Sequence, residues 1–256
     1  MFRGIYDAAS AMLVQQYGVD VTANNLANAG TSGFKKQLAV AESHPEAVLV
    51  KTENGRRGAS RKTPLGETAL SVVMSETATA AGPGPLQETG NPMDCALTGD
   101  GFFQVIDDGG DVFYTRSGNF TLDAQGRFVT PSGMIVAGAG GPIVAGDAET
   151  VSIRDDGMVF ADGEELGRFA VFRFAEPSFL HRRGGSLFSE TPASGPAEAV
   201  ADEEIRVASG FVEGSNVNIV EEMTKMITAS RAYEAVSRAF DSEAETARQM
   251  IQAFGR

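Results

Sequence analysis

The 256-residue sequence contains few of the residues that build chemical sites. It has one cysteine, Cys95, two histidines, His44 and His181, and no tryptophan. One cysteine excludes an internal disulfide, and neither histidine has a second ligand at zinc-site spacing. Glycine-rich phosphate loops and the Gly-x-Ser-x-Gly elbow are missing as well. We therefore expect no metal, no cofactor and no catalytic activity, although an unrecognised enzyme site built from paired carboxylates stays open as an alternative.

Basic residues are also scarce relative to acidic ones. The chain has 21 lysines and arginines against 34 aspartates and glutamates, which gives a net charge of −13. Such a chain is repelled by nucleic acids and by anionic lipid surfaces. No run approaches the roughly 20 apolar residues that a membrane span needs, and the first residues lack the pattern of a cleavable secretory signal. We expect neither nucleic-acid binding nor membrane insertion.

Apolar residues recur at alternating spacings of four and three near the start of the chain. This heptad pattern is typical of a helix that packs against another helix. It predicts a helix from about residue 3 to about residue 28, ended by a left-handed turn at Asn28 or Gly30. The pattern consists of Ile5, Ala9, Met12, Gln16, Val19, Ala23 and Leu26.

A longer pattern of the same kind lies near the end of the chain. It carries no charged residue and predicts a helix that begins near residue 219. Its members are Ile219, Met223, Met226, Ser230, Tyr233, Ser237, Phe240, Ala244, Ala247, Ile251 and Phe254. The shorter helix cannot cover the longer one completely, so part of this apolar stripe is left for neighbouring molecules. The alternative is an ordinary intramolecular pair of helices packed on the rest of the chain.

The middle of the sequence alternates short β-rich runs with turn residues. FFQVI, DDGGD and VFYTR follow one another from residue 102, and VSI, RDDG and MVF follow one another from residue 151. Asp-Gly or Gly-Gly between such apolar runs indicates β-hairpins. We predict an α+β fold in which long N- and C-terminal helices form a coiled-coil-like domain beside a β-rich central domain, either a sandwich or a barrel-like body. The predicted regions are a helical segment 1–36, an extended or linker region 37–92 with linkers at 52–62 and 75–92, a β-rich domain 93–210, and a helical segment 211–256.

Four long motifs resemble those of one bacterial family. VTANNLANAGTSGFKK at 21–36 and SNVNIVEEMTKMITASRAYEAVSRAF at 215–240 are similar to the terminal signatures of the flagellar axial proteins, the rod and hook group. TGNPMDCALTGDGFFQV at 89–105 and YTRSGNFTLDAQGRFVTPSG at 114–133 resemble the central segment of the same group. The resemblance covers nearly the whole chain, in the same order.

This resemblance implies a structural subunit of the flagellar basal-body rod. Its partners would be copies of itself, other rod and hook subunits, and the flagellar type III export apparatus, which exports such subunits without a cleaved signal. Its terminal helices would line a tube that crosses the cell envelope, through the periplasm in a Gram-negative cell, and the β-rich domain would face outward. The details look closest to the proximal-rod member, and the distal-rod member is the alternative.

The candidate assembly interface combines both heptad patterns with the asparagines of the N-terminal motif. These asparagines either form a polar network that sets the register between subunits, or cap the helix and face solvent. A secreted binding module with a coiled-coil stalk would use the same helices and is a second alternative. The candidate residues are Ile5, Ala9, Met12, Val19, Asn24, Asn25, Leu26, Asn28, Ile219, Met223, Met226, Tyr233, Phe240, Ile251 and Phe254.

Overall fold

The computed structural model describes residues 3–43, 46–54, 60–69 and 72–254. Within these ranges the chain has a helix at each end and short strands between them, which confirms the α+β prediction. The helices are α1 (Arg3–Ala27) and α2 (Ile219–Phe254), and one 3-10 turn covers Pro177–Phe179.

The strands follow one another closely along the chain, and most have five residues or fewer. They are β1 (Gln37–Ser43), β2 (Glu46–Asn54), β3 (Ser60–Ala69), β4 (Val72–Thr79), β5 (Leu86–Glu88), β6 (Cys95–Leu97), β7 (Phe102–Ile106), β8 (Val112–Thr115), β9 (Thr121–Leu122), β10 (Phe128–Val129), β11 (Ile135–Gly138), β12 (Gly141–Pro142), β13 (Val151–Ile153), β14 (Met158–Ala161), β15 (Glu164–Arg168), β16 (Val171–Arg173), β17 (His181–Arg182), β18 (Leu187–Ser189), β19 (Glu198–Ala199), β20 (Val207–Ser209) and β21 (Phe211–Glu213).

The chain forms two compact units. The first contains most of α1, strands β1 to β3, most of β4, and nearly all of α2. The second consists of residues 25–37 and 78–219. Each unit is therefore built from segments that are far apart in sequence, and the chain passes between the units near each helix and within β4.

In the first unit, α1 meets α2 close to its own N-terminus. A methyl group added to Gly4 would overlap the side-chain carboxylate of Glu243. Because Gly4 lies in the first turn of α1 and Glu243 lies well past the middle of α2, the contact brings opposite ends of the two helices together. The first unit also contains a hairpin in which β2 pairs with β3 from Glu46 opposite Ala69 to Asn54 opposite Ser60.

This hairpin corrects the linker prediction for residues 52–62. Residues 52–54 and 60–62 lie in paired strands, and residues 55–59 lie outside the described ranges. Similarly, the stretch 75–92 contains the end of β4 and all of β5. Polar residues and glycine are frequent in both stretches and also occur in short strands, which explains why composition alone suggested linkers.

The second unit is built around a ten-stranded sheet that branches at its centre. Its main path runs β17-β18-β8-β7-β11-β10-β9, with β12 paired to β11 and β16 paired to both β7 and β19. The predicted hairpins are confirmed: β7 pairs with β8 across Asp107–Asp111, and β13 pairs with β14 across 154–157. Gly110 and Gly157 have φ of 89° and 76° in these turns, a region that glycine adopts without strain.

The alternation of side chains along β7 explains why the unit has two apolar clusters. Phe103 and Val105 point into a large cluster with Phe120 and Phe169, and the Phe103 ring meets each of those rings edge-on at 5.3 and 5.4 Å. Phe102 points the other way, into a smaller cluster. Successive strand residues face opposite sides, so consecutive phenylalanines cover both faces of the central strand. Tyr114, Phe174, Leu180 and Phe188 complete the smaller cluster.

The cysteine and the described histidine lie in the core and on a strand, respectively. Cys95 is fully buried in the large cluster, and burial raises the pKa of its thiol well above the usual range. Such burial is typical of a free cysteine that packs as a small apolar residue. His181 lies in β17 and is exposed, and His44 falls outside the described residues.

Candidate functional site at the junction of the two chain ends

The predicted apolar pattern of α2 is half-buried in its middle and exposed at both ends. Met226, Tyr233 and Phe240 are half-buried, whereas Ile219, Met223 and Ile251 are exposed. Ser230, Ser237, Ala244 and Ala247 follow the half-buried face, so the heptad spacing describes one side of the helix. The side chain of Phe254 lies outside the described side chains.

The predicted apolar residues of α1 are half-buried, while its exposed side carries two apolar residues that the pattern omitted. Ile5, Ala9, Met12, Val19 and Leu26 are half-buried, and Gln16 is exposed. Tyr6 and Leu13 are 73% and 71% exposed and lie seven residues apart, on one stripe of the helix. The two residues share a heptad position, so the sequence contained this second pattern. It has only two members and was overlooked beside the longer apolar pattern of α1.

Asn25 is buried, unlike the other two candidate asparagines, Asn24 and Asn28. Its side-chain amide donates to the carbonyl of Gln37, and its side-chain oxygen accepts from the amide of Gln37, at 2.9 and 2.8 Å. Asn24 is exposed, and Asn28 accepts a hydrogen bond from Thr31. Asn25 thus closes the loop after α1 into a fixed shape.

The turn after α1 comes later than predicted. Neither Asn28 nor Gly30 has a positive φ, and the first left-handed residue is Gly33, with φ of 68°. A methyl group at Gly33 would overlap the backbone of Arg116 and Ser117, and the Gly33 amide donates to the carbonyl of Glu213 at 2.7 Å. The left-handed turn is needed where the loop after α1 packs within the second unit, not at the end of the helix.

The residues just after this turn meet the residues just before α2. Lys35 Nζ lies 2.5 Å from the carboxylate of Glu213 and 2.9 Å from the carbonyl of Gly82. The same Glu213 oxygen accepts from the amide of Gly84, and its second oxygen lies 3.6 Å from Arg116 Nε. The side chains of Lys35, Glu213 and Arg116 are 1%, 2% and 3% exposed. We call these three residues the buried charge cluster.

Electrostatics within the buried charge cluster are dominated by desolvation. Burial lowers the pKa of Lys35, and the hydrogen bond and charge of Glu213 offset this only in part. Burial also lowers the pKa of Arg116, again opposed by Glu213 and by Asp100. Low-dielectric surroundings penalise each charge while strengthening the attraction between unlike charges. The cluster is therefore stable only while its partners stay together.

Asn216 makes a second connection beside the cluster. Its side-chain oxygen accepts from the Lys36 amide at 2.7 Å, and its side-chain nitrogen donates to the carbonyls of Ala80 and Gly82, both at 2.9 Å. The amide of Ala80 in turn donates to the carbonyl of Lys36. Three separate chain segments are thus joined through one side chain.

Arg182 covers the outside of this arrangement. Its guanidinium lies 4.3 Å from the centre of the Phe34 ring and 5.3 Å from that of Phe188, and it donates to the carbonyl of Lys35. Burial lowers the pKa of Arg182 to about 10. The stacked rings partly compensate the buried cation, since aromatic faces carry negative charge density.

These contacts define the junction: residues 31–37, 80–84 and 213–216, together with Arg116 and Arg182. Sequence reasoning quoted most of its residues within motifs but assigned them no role. Lys35 and Glu213 are 178 positions apart, so one sequence gives no sign that they pair. The junction provides donors, acceptors and fixed charges that hold backbone in place, and no nucleophile with an adjacent base.

Metal binding and membrane spanning find no support in the described ranges. There, no group of three or more histidine, cysteine, aspartate or glutamate side chains is positioned to hold a metal ion. The described helices likewise include none long and apolar enough to cross a membrane. The contacts of the junction tie the chain leaving α1 to the chain entering α2.

We predict that Glu213→Gln destabilises the protein by about 3–5 kcal/mol, because it leaves Lys35 and Arg116 as buried cations without a carboxylate. Glutamine keeps the size of the side chain and can still accept from Gly84. The matched control is Glu234→Gln, which removes an exposed pair with Arg238 and should cost no more than about 0.5 kcal/mol. Chemical denaturation measures both, and equal losses for the two variants would contradict a special role for the cluster.

Comparison with known proteins identifies the family. Residues 5–35 match a model of the flagella basal body rod protein, residues 96–161 match the D1 domain of the flagellar hook protein FlgE/F/G, and residues 208–253 match the C-terminal region of the flagellar basal body rod FlgEFG proteins. The first and third models include the two sides of the junction.

Several curated relatives match along nearly their whole length. The flagellar basal-body rod protein FlgG of Borreliella burgdorferi is 35% identical over 261 residues, covering 94% of this chain and 95% of its own. FlgF of Caulobacter vibrioides is 34% identical over 260 residues, covering 100% and 99%. FlgG of Bacillus subtilis is 33% identical over 270 residues, covering 98% of each chain. The chain therefore belongs to the flagellar basal-body rod protein family, whose members are structural, non-enzymatic components of the basal body.

Proposed function

We propose that this chain is a proximal-rod subunit, similar to FlgF, that polymerises through its terminal helices into the drive-shaft tube of the flagellum. The observation that carries polymerisation is the exposure of apolar residues on both helices. Tyr6 and Leu13 on α1 and Ile219, Met223 and Ile251 on α2 face solvent in the single chain. Apolar surface of this kind is stabilised by roughly 25 cal/mol per Å² when a neighbouring molecule covers it.

A coiled-coil-like packing of the terminal helices is part of this proposal. The contact between Gly4 and Glu243 and the half-buried face of α2 support it. Copies of the chain, and other rod or hook subunits, would then complete the packing around the exposed residues. Asn24 is exposed at the end of α1, whereas Asn25 is buried and bonded to Gln37.

The assignment to the proximal rod is supported by the alignment with FlgF of Caulobacter vibrioides. That alignment includes the whole of this chain and 99% of the relative. The alternative is a distal-rod subunit similar to FlgG, which is favoured by relatives of that name in Borreliella burgdorferi, Agrobacterium fabrum and Bacillus subtilis at 33–35% identity. The percentage sequence identities do not distinguish the two assignments. The position of the subunit along the rod would distinguish them.

The position can be measured by labelling. A small epitope inserted between Asp108 and Gly109, in the exposed turn that joins β7 and β8, should leave the sheet intact. We expect gold-labelled antibody on isolated basal bodies to mark the half of the rod nearer the cytoplasmic membrane. Label on the half that joins the hook would instead establish the distal-rod alternative.

We predict that Phe240→Asp prevents incorporation into the rod. The residue is half-buried near the middle of the α2 pattern, and a carboxylate there would be desolvated without a partner when helices pack around it. Cells that carry only this variant should be non-motile, while thermal unfolding of the β-rich unit should stay close to that of the wild type.

Arg238→Ala is the control, since Arg238 lies two residues away and forms only an exposed pair with Glu234. These cells should swim normally. Normal swimming of the Phe240→Asp strain would show that this helix face does not carry assembly.

The proposal includes export by the flagellar type III apparatus into the periplasm of a Gram-negative cell. It is supported by an N-terminal region, 5–35, that matches the rod model. We expect mass spectrometry of the assembled protein to find an uncleaved α1. Secretion that continues in cells lacking the export apparatus, or a mature chain that begins after Leu26, would contradict this route.

A further inference from the structure

Four Asp-Gly pairs lie within the described ranges, and the fold places them in different surroundings. An aspartate followed by glycine can rearrange without an enzyme, because glycine has no side chain to hinder the attack of its own amide nitrogen on the aspartate carboxyl carbon. The reaction needs a carboxyl group that can turn toward the main chain and a glycine amide that is not held elsewhere. The four pairs begin at Asp100, Asp108, Asp156 and Asp162. A fifth pair of related chemistry, Asn54-Gly55, extends outside the described ranges.

Asp162 is held by three hydrogen bonds. One of its carboxylate oxygens accepts from the amide and from the hydroxyl of Thr150, both at 2.9 Å, and the other accepts from the amide of Glu149 at 3.3 Å. The hydrogen bonds from Thr150 lower the pKa of Asp162. Water leaves readily only from a protonated carboxyl group, so bonds that favour the ionised form and fix its position protect Asp162 twice.

Asp156 is held together with the glycine that follows it. Its carboxylate accepts from the amide of Met158 at 3.1 Å, and the amide of Gly157 donates to the carbonyl of Arg154 at 2.9 Å. The first bond holds the carboxyl group, and the second occupies the nitrogen that would attack it. Both bonds belong to the turn between β13 and β14, so the reaction would require that turn to open.

Asp100 has an exposed side chain, but the glycine that follows it is packed into the sheet. Gly101 is buried directly before β7, and a methyl group added to it would lie 2.8 Å from the side chain of Val171. The rearrangement passes through a five-membered ring that includes the glycine nitrogen, and closing this ring requires the main chain on both sides to rotate. Close packing around Gly101 opposes that rotation.

Asp108 has neither kind of restraint. Asp108 and Gly109 are both exposed in the turn between β7 and β8. None of the hydrogen bonds among the described residues uses the Asp108 carboxylate or the Gly109 amide. The turn is held by their neighbours, since Asp107 donates to the carbonyl of Asp111 and accepts from the amides of Gly110 and Asp111. The fold therefore leaves the two reacting groups free.

We propose that Asp108 is a modification site, at which the folded chain forms isoaspartate through a succinimide. The Gly109 nitrogen bonds to the carboxyl carbon of Asp108, and the amide proton leaves with the carboxyl hydroxyl group as water. Water then adds to the main-chain carbonyl of the succinimide and breaks its bond to nitrogen, so the chain continues through the former side-chain carbonyl. Addition at the other carbonyl restores aspartate. The reaction requires no oxidant, cofactor or enzyme.

The modification changes the surface of the turn and leaves the sheet in place. It adds one methylene group to the main chain between Asp107 and Gly109. The hydrogen bond from the Asp107 amide to the Asp111 carbonyl closes the turn outside the changed bond, and an exposed loop tip tolerates such a lengthening. We therefore expect the isoaspartate form to unfold at nearly the same temperature as the fresh protein.

Incubation of the purified full-length chain in mildly acidic buffer tests the site. Chymotrypsin cleaves after Phe102 or Phe103 and after Phe160, which separates the four pairs, and electron-transfer fragmentation in a mass spectrometer distinguishes isoaspartate from aspartate in each peptide. We expect isoaspartate to form at Asp108 about tenfold or more faster than at the other three pairs, because a hydrogen bond or packed contact that must first open slows the reaction roughly tenfold.

Asp108→Glu is the matched variant, since it keeps the charge but would have to form a six-membered ring, which closes far more slowly. It should abolish the product at this position. In the chain unfolded by urea, the four pairs should react at similar rates, because the protection comes from the fold. Similar rates in the folded chain as well, or faster accumulation at a pair other than Asp108, would overturn the proposal.

Discussion

The carboxylate of Glu213 holds together segments from three parts of the chain. One of its oxygens accepts from Lys35 after α1 and from Gly84 in the segment before β5, while the other faces Arg116 at the end of β8. Glu213 itself ends β21, a few residues before α2 begins. The other connections of the junction, from Asn25, Asn216 and Arg182, surround this carboxylate and depend on the segments that it brings into place.

Buried ion pairs of this kind contribute more to specificity than to net stability. Desolvation of each charge offsets most of the attraction between them, so apolar residues of the same size could hold the segments about as well. What apolar residues could not do is penalise a wrong arrangement, since any docking that separates Lys35 from Glu213 leaves buried charges unpaired. Because the chain leaves α1 and enters α2 at neighbouring points, a single arrangement of those points fixes where α1 ends and where α2 begins.

The sequence predicted the elements of the fold better than their connections. Both helices were predicted to within about two residues, because their heptad patterns are long and contain few interruptions. The hairpins at Asp107–Asp111 and 154–157 were also predicted, since Asp-Gly and Gly-Gly between β-rich runs have few other uses. The junction could not be predicted, because Lys35, Glu213 and Asn216 pair over long sequence separations that leave no local pattern. The left-handed turn was misplaced to Asn28 or Gly30 for a similar reason: Gly33 adopts it to meet the backbone at Arg116, a contact that only the fold reveals.

The polar junction and the apolar helix surfaces differ in how far their contacts are completed within one chain. The junction is satisfied within one molecule: Lys35, Glu213 and Arg116 are at most 3% exposed, and Asn216 is bonded to three backbone groups. The helices are the opposite, with apolar residues such as Tyr6 and Ile251 largely open to solvent. A polar junction with matched geometry can form before any neighbour arrives, because its partners all come from the same chain and their effective concentration is high. The apolar residues of the helices are stabilised only when another molecule covers them. Because apolar burial is non-directional, it tolerates small changes in the angle between helices. In the tube proposed above, a subunit that is fixed at its junction and adaptable along its helices would therefore occupy equivalent places without each place imposing a different internal structure.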